Sequence, residues 1–376
     1  MPRKFNQQQV EIVRKRKGLT KQDLSSWAGL SRESVSRRRF KTQEPLEWTV
    51  GRIASALGYP SEFFYGDDLD EVNVDSASFN SSLISARIRN TLLASGSIAF
   101  LLDDWAQQRL NLPDVEAVDI GFGGDPETAA RKLRQEWGIG VEPVPHLIEL
   151  IEAKGVRVFS IPEYLFLPGG YSCWRGDVPY IFLHKSSDYE SRRFCTAQQL
   201  GYLVLHKHSR PNHYRNVKNS TKAFAYAFLM PKEGLEEVFQ KHQPLNLIPQ
   251  KIMDSKQRWG VSVDVLAYRL HQLGCITDRT YRSVPSRMTE RYFTNSDQKR
   301  MPEEMSSVWS KALESHWKKQ GLIHDIAKKL LIPVEEIESL LLISSTSARK
   351  RTSKSSRKNP VSPNRKALKA ILRTWI

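Results

Sequence analysis

The sequence predicts an α+β fold that is mostly α-helical. Apolar residues recur at the three- and four-residue spacing of amphipathic helices over most of the chain. Helices and strands alternate only in the middle, where GGYSCWRGDVPYIFLH (169–184) has aromatic and β-branched residues on both sides of a Gly-Asp turn, the pattern of a β-hairpin. A chain of 376 residues with 40% apolar content is long enough for two or three domains, each with its own core.

Residues 6–64 have the pattern of short helices. Val10 and Val13, and later Leu24 and Ala28, are spaced as they would be on one face of a helix. Gly58 ends a further helical stretch, since glycine interrupts helices.

A polar, acidic stretch, GDDLDEVNVDSASFNSS (66–82), predicts a linker before a connecting helix over residues 83–108. From Asp125 the pattern is mixed. Asp125 can cap a helix that has Pro126 in its first position, and HLIELIEAKGVRVFSI (146–161) changes from helix to strand after a glycine.

Helical patterns dominate again after the hairpin. One predicted helix ends at Pro231, another covers residues 261–276, and the segment 306–342 is helical with a break at Pro333. The last stretch, STSARKRTSKSSRKNPVSPNRK (345–366), has no acid and almost no apolar residue, so it cannot bury enough surface to fold alone. We expect a disordered basic tail that adds non-specific affinity for nucleic acid.

The charge balance favours a polyanionic partner such as nucleic acid. The chain has 57 Lys and Arg against 41 Asp and Glu, a net charge of +16 and a pI of about 9.7. A basic surface that is merely solvated is the alternative. Cys173, Cys195 and Cys275 are far apart in the chain, which predicts neither a disulfide framework nor a cysteine-based zinc site. We expect a cytoplasmic protein, since the N-terminus has no apolar signal-peptide core and no run approaches the ~18 apolar residues of a membrane span.

The segment LTKQDLSSWAGLSRESVSRRRFKT (19–42) has the residues that a helix-turn-helix needs. Gly29 allows a tight turn between two helices, which Thr20 and Ser31 can cap. Side chains of the second helix would enter the DNA major groove, where Arg favours guanine edges, and flanking residues would hold phosphates. The apolar residues expected to face the core are Leu24, Ala28 and Val35. The candidate DNA-binding residues are Lys21, Gln22, Arg32, Glu33, Ser36, Arg37, Arg38, Lys41 and Thr42.

This segment resembles the Xre-type helix-turn-helix domain of bacterial and phage repressors, and the resemblance continues through IASALGYPSEFF (53–64). It implies a five-helix DNA-binding domain that acts as a homodimer on two half-sites of double-stranded DNA. The family usually has an acid and then a glycine after the recognition helix, where this sequence has Arg39 and Lys41. A small helical bundle with a solvated arginine cluster is the alternative interpretation.

The segment RRFCTAQQLGYLVLH (192–206) has the spacing of the helix that carries H-E-x-x-H in zinc peptidases. In that motif two histidines four residues apart share one helix face and bind one metal, while the glutamate activates its water. Together with PETAARKLRQEWGI (126–139), AFAYAFLMP (223–231) and VSVDVLAYRLHQLGCITDRTY (261–281), it makes residues 126–293 resemble the ImmA/IrrE-like metallopeptidase family.

The resemblance places Gln198, Gln199 and Tyr202 at the positions of the first histidine, the catalytic glutamate and the second histidine. Ser220 falls where the family has an acidic ligand, and only the trailing histidine, His206, is kept. Glutamine is a poor zinc ligand, and its amide takes up no proton near neutral pH. The resemblance therefore implies a pseudo-metallopeptidase that uses no cofactor.

A different metal site is the alternative for this helix. Its ligands would be Cys195, Tyr202 and His206, supported by His184 or His213, because Tyr202 and His206 are four residues apart on one helix. No acid accompanies them to act as a base. Without such a site, the helix is a structural or ligand-sensing remnant.

The expected organisation has five regions. They are a helix-turn-helix domain (1–66), a linker with a connecting helix (67–124), a central metallopeptidase-like α+β domain (125–295), a helical C-terminal region (296–344) and a basic tail (345–376).

We expect a sequence-specific DNA-binding transcriptional regulator whose central domain mediates dimerisation, senses a small molecule or binds a protein effector. One alternative is a divergent zinc metalloprotease that cleaves a repressor or antitoxin. Another is an interaction protein that binds nucleic acid without sequence preference. The segment IAKKLLIPVEEIESLL resembles a second short helix-turn-helix, and the sequence leaves open whether residues 306–342 contact DNA.

Overall fold

The computed structural model describes residues 4–31, 33, 44–79, 84–116, 124–165, 169–207, 214–239, 248–284, 303–315 and 321–343. The chain divides into two compact units, residues 1–342 and 343–376, and only Ile343 of the second unit is among the described residues. The fold is mostly helical with one four-stranded sheet, which confirms the predicted α+β class. No helix within these ranges combines the length and the apolar character that a membrane span requires.

The N-terminal region is helical, as predicted. The first turn of α2 has a reciprocal cap: Thr20 Oγ1 accepts a hydrogen bond from the Asp23 amide at 3.1 Å, and the Asp23 carboxylate accepts one from the Thr20 amide at 2.7 Å. The helix ends at Gly29, whose φ of +61° suits glycine. Leu24 and Ala28 are buried. The elements are α1 (Gln7–Arg16), α2 (Lys21–Ala28), α3 (Glu47–Leu57) and a 3₁₀ helix (Ser61–Tyr65).

The predicted linker contains an unpredicted strand. A short 3₁₀ helix, Val74–Ser76, leads into β1 (Ala77–Phe79), which joins the sheet. Three residues within a polar, acidic stretch are too few to show the alternation that indicates a strand. The predicted connecting helix follows as α4 (Ala86–Gln107), and Ser85 caps it.

The central region has the mixed elements that its sequence pattern predicts. Asp125 caps α5 by accepting a hydrogen bond from the Thr128 amide at 2.9 Å, and Pro126 occupies the first helical position. The predicted hairpin is present, with Gly176 in its turn at a φ of +57°. The elements are α5 (Pro126–Glu136), α6 (Leu147–Ala153), β2 (Arg157–Ile161), β3 (Gly170–Arg175) and β4 (Val178–His184).

The sheet has the strand order β1-β3-β4-β2. β3 is antiparallel to both β1 and β4, whereas β2 runs parallel to β4. Residues 179–184 of the inner strand β4 are all buried, which explains why this strand reads as a nearly continuous apolar run.

The helices after the sheet build the core beside it. α7 and α8 approach closely, because Gly201 has no side chain: a Cβ there would lie 2.8 Å from the Phe224 ring. Pro231 follows the end of α8 and Pro333 precedes α14, as predicted. The helices are α7 (Tyr189–Leu205), α8 (Tyr214–Leu229), α9 (Lys232–Glu236), α10 (Ile248–Trp259), α11 (Val263–Gln272), α12 (Ser307–Ser315), α13 (Leu322–Leu330) and α14 (Val334–Leu340).

A buried ion pair fastens the N-terminal helices to the C-terminal region. Nε of Arg16, at the end of α1, lies 3.0 Å from a Glu336 carboxylate oxygen of α14, and Arg16 is 3% exposed. Its other nitrogens donate to the hydroxyls of Ser95 at 2.7 Å and Ser339 at 2.6 Å. Burial raises the pKa of Glu336, but the charges of Arg16 and Lys17 outweigh it and lower that pKa overall. The carboxylate is therefore ionised and paired.

We expect Glu336→Gln to lower the free energy of unfolding by about 3–5 kcal/mol, because it leaves the Arg16 guanidinium buried without a counter-charge. Urea unfolding of the full chain measures this. The matched control is Glu149→Gln, whose partner Lys311 lies 3.1 Å away with a 72% exposed side chain. That exposed pair should contribute at most about 1 kcal/mol. Equal effects of the two variants would contradict the prediction.

Candidate functional site

α7 carries the residues that the sequence singles out. Asp188 caps the helix by accepting a hydrogen bond from the Ser191 amide at 2.9 Å. The helix contacts β3 and β4 of the sheet on one side and α8 on another. Gln198, Gln199 and Tyr202 are all buried in this position.

The Gln199 amide joins α7 to β3. Its Oε1 accepts a hydrogen bond from the Ser172 hydroxyl at 2.6 Å, and its Nε2 donates one to the Gly170 carbonyl at 3.1 Å. The side chain is 1% exposed. An ionised carboxylate has no hydrogen to donate and could not make the second bond. The residue that the resemblance places at the catalytic-base position therefore makes a hydrogen bond that requires an amide.

Gln198 lies at a crevice between α7, α8 and β1. Its Nε2 donates a long hydrogen bond, 3.4 Å, to the Thr221 hydroxyl. The crevice is narrow and has room for about one water molecule. Its lining residues are Ser78, Phe79, Gln198, Gln199, Val217, Lys218 and Thr221. The sequence pattern did not identify Ser78 and Phe79 as part of this site.

The structure brings together His206 and Ser220, the trailing histidine and the residue at the acidic position. His206 Nε2 lies 2.8 Å from the Ser220 hydroxyl oxygen. Burial lowers the pKa of His206, so the imidazole is neutral at pH 7. The Tyr202 ring centroid is 5.9 Å from that of His206. Burial, with a contribution from Cys173, raises the pKa of Tyr202 to about 12, so the phenol keeps its proton.

The other candidate metal ligands have separate surroundings. Cys195 packs in the core with apolar residues. His184 is buried at the end of β4, where Nε2 lies 2.9 Å from the Leu165 carbonyl and Nδ1 lies 2.8 Å from the Ser186 hydroxyl. His213 lies outside the described residues. Within the described part of the chain, no group of three or more His, Cys, Asp or Glu side chains could hold a metal ion.

Three of the candidate DNA-binding residues are described, and all three are exposed: Lys21 and Gln22 in the first turn of α2, and Glu33 beyond its end. Arg52 of α3 donates a hydrogen bond to the Gly29 carbonyl at 2.9 Å, which holds the turn after α2 against α3. Val35, which was expected to face the core, lies outside the described part of the chain. The other candidate DNA-binding residues also lie outside it: Arg32, Ser36, Arg37, Arg38, Lys41 and Thr42.

α13 and α14 form the helix pair that resembles a second helix-turn-helix. Leu331 in the turn between them has a φ of +58°. Glu335 in the first turn of α14 is exposed, and Glu336 is buried against Arg16. Acids favour a helix N-terminus through the macrodipole, but they would meet phosphates if this helix entered a groove. We therefore expect α14 to anchor the N-terminal helices and not to contact DNA.

One comparison with known proteins gives a family match. The model of the IrrE N-terminal-like domain of peptidase family M78 matches residues 151–271. This stretch extends from the end of α6 to α11 and includes β2 to β4, α7 and α8. The chain therefore contains an IrrE-like domain, as the resemblance implies. No curated protein matches the chain.

The side chains that the resemblance places at the zinc positions do not fit a zinc ion. Zinc in proteins is held by thiolates, imidazoles and carboxylates. Gln198 offers a neutral amide, Gln199 uses both ends of its amide on β3, and Tyr202 keeps its proton. His206 is the one imidazole among these positions, and it hydrogen-bonds with Ser220.

We expect Gln199→Glu to destabilise the protein by about 1–3 kcal/mol at neutral pH, because an ionised carboxylate leaves the Gly170 carbonyl without its donor. The loss should shrink at acidic pH, since a protonated carboxylic acid can donate to that carbonyl. Urea unfolding at both pH values measures the effect. Gln198→Glu is the control, because it loses one long donated hydrogen bond to the Thr221 hydroxyl, which can rotate to donate to a carboxylate instead. If the two variants lose equal stability, the amide of Gln199 has no special importance.

Proposed function

We propose that this protein is a sequence-specific DNA-binding transcriptional regulator whose IrrE-like domain has lost hydrolytic activity and binds an effector. The observation that carries the DNA-binding part is the geometry of α2. The helix is capped at Thr20, ends in a left-handed Gly29 and exposes Lys21 and Gln22 in its first turn. In a helix-turn-helix, such a helix crosses the DNA backbone and directs the next helix into the groove. The net charge of +16 supports a nucleic-acid partner.

The proposed organisation follows the expected regions. Residues 1–66 recognise double-stranded DNA as a homodimer, because one short helix-turn-helix reads only a half-site. Residues 125–295 form the effector-binding domain. A small molecule or a protein segment would bind there beside the crevice at Gln198, whose own space holds about one water molecule. The basic tail, residues 345–376, adds non-specific affinity.

The proposal that the IrrE-like domain is a pseudo-metallopeptidase is supported by Gln199. Its two hydrogen bonds to β3 use an amide where hydrolysis would need a carboxylate base. The family match itself favours a second candidate, a divergent zinc metalloprotease. We infer that the substrate of such an enzyme would be a repressor or antitoxin. Metal content and cleavage assays discriminate between the two.

For DNA recognition, we expect duplexes selected from a random pool to share a preferred sequence. Arg32→Ala and Arg37→Ala should each weaken binding to that sequence by about 1–3 kcal/mol and relax the base preference, because they remove contacts to base edges. Lys21→Ala is the control, since a phosphate contact should weaken all sequences alike. Arginine variants that keep the full base preference would show that the recognition face lies elsewhere.

For catalysis, we expect the protein purified in the presence of zinc to hold far less than one zinc per chain and to cleave no protein substrate. Elemental analysis and a protease assay measure this, with His206→Ala as the control variant. One zinc per chain that is lost in His206→Ala would establish a metal site and favour the metalloprotease.

A further inference from the structure

We propose that β1 is an exchangeable strand, and that an extended peptide of a partner protein replaces it on the edge of β3. This inference rests on the partner-binding role proposed above for the IrrE-like domain. It concerns the segment 72–79, which the sequence pattern places in a linker but whose last three residues, 77–79, the structure places in the sheet.

β1 pairs with half of β3 among the described residues. β3 has six residues and β1 has three. Within this part of the chain, Trp174 and Arg175 have no partner in the register with β1. The paired residues are Ala77 with Cys173, Ser78 with Ser172, and Phe79 with Tyr171. A longer incoming strand would pair with more of this edge than β1 does, because each added residue offers main-chain hydrogen bonds.

β1 also defines the chemistry of the strand that would replace it. Ala77 and Phe79 are two residues apart and point to the same face, where the Phe79 ring stacks on Tyr171 with centroids 5.3 Å apart. Ser78 points to the other face and lines the crevice with Gln198 and Gln199. The expected partner is an antiparallel segment with a small residue and an aromatic residue two positions apart. The residue between them would face the Gln198 crevice.

Side chains along the segment that must leave hold it in place: Val72 and Ala77 are buried, and the Phe79 ring stacks on Tyr171. Val72 is 6% exposed and packs on α4 at Gly96, where an added Cβ would lie 2.4 Å from a Val72 methyl carbon. Val74, two residues later, is 48% exposed. Upstream, the Gln8 amide donates a hydrogen bond to the Leu69 carbonyl at 2.8 Å, so the earlier residues keep their own anchor. β1 itself has three residues, shorter than the usual strand of about five or six, so its ladder with β3 is short.

The first experiment loosens β1 in the full chain. The probe is a fluorescein-labelled peptide with the sequence of residues 72–79, VNVDSASF. Val72→Ser should tighten peptide binding by on the order of tenfold relative to wild type, because it weakens the competing internal strand. Val74→Ser is the matched control and should bind the peptide as wild type does. Hydrogen exchange at the amides of residues 171–173 reports whether the strand has opened.

The second experiment locks β1 in place. Ala77→Cys puts a thiol opposite Cys173, and directly paired strand positions lie within disulfide distance. Ala77→Cys is made in a Cys275→Ser background, which removes the half-buried thiol of Cys275. Mass spectrometry confirms the 77–173 bond. The oxidised form should lose peptide binding at least about tenfold relative to its reduced form. Val74→Cys in the same background is the control, because its thiol has no partner in the register.

Two results would overturn the proposal. Equal peptide binding by the oxidised and reduced forms would place the peptide away from the β3 edge. Failure of Val72→Ser to bind the peptide more tightly would show that β1 does not compete with it, whether or not hydrogen exchange reports an open strand. If either result occurs while the protein still selects a preferred DNA sequence, only the strand-exchange proposal is wrong. If the peptide binds as expected but no DNA sequence is preferred, the proposed regulatory function is wrong and strand exchange stands.

Discussion

The buried Arg193–Glu304 ion pair organises the central domain. Both side chains are 1% exposed, so removal of either would leave a buried charge without a counter-charge. Glu304 also accepts hydrogen bonds from the Leu147 and Ile148 amides at 3.2 Å each, at the start of α6. Arg193 donates to the Trp259 carbonyl at 3.2 Å, where α10 ends. One pair therefore sets the positions of α6, α7, α10 and the segment before α12, and α7 carries the candidate site.

Buried carboxylates also hold the C-terminal helices in place. Glu152 of α6 accepts hydrogen bonds from the Ser307 amide at 2.7 Å and the Val308 amide at 3.2 Å, at the start of α12. Farther along, Glu336 of α14 pairs with Arg16 of α1. The C-terminal helices thus link the IrrE-like domain to the N-terminal helices. The segment of the chain that contains β1 is a second link. Two separate stretches of sequence therefore connect the IrrE-like domain with the N-terminal helices.

The chemistry of the candidate site is that of a packed, polar interface. The Gln199 amide donates to β3 and accepts from it, and the Gln198 amide reaches α8. Neutral amides can be buried in this way because their hydrogen bonds offset the loss of water and no charge is desolvated. A carboxylate and two metal-binding imidazoles would need a different environment. The surroundings of α7 therefore hold α7, α8 and β3 together through neutral hydrogen bonds.

The sequence by itself determined the features that depend on neighbours in the chain. The caps at Thr20 and Asp125, the hairpin turn at Gly176 and the helical periodicities involve residues within a few positions of one another. Only the tertiary structure decided that residues 77–79 form a strand and that Gln199 bonds to β3. These features depend on pairing between segments about a hundred residues apart or on atoms that meet only in the packed core. A short polar segment becomes a strand when an open sheet edge supplies its hydrogen bonds, and local sequence carries no record of that edge.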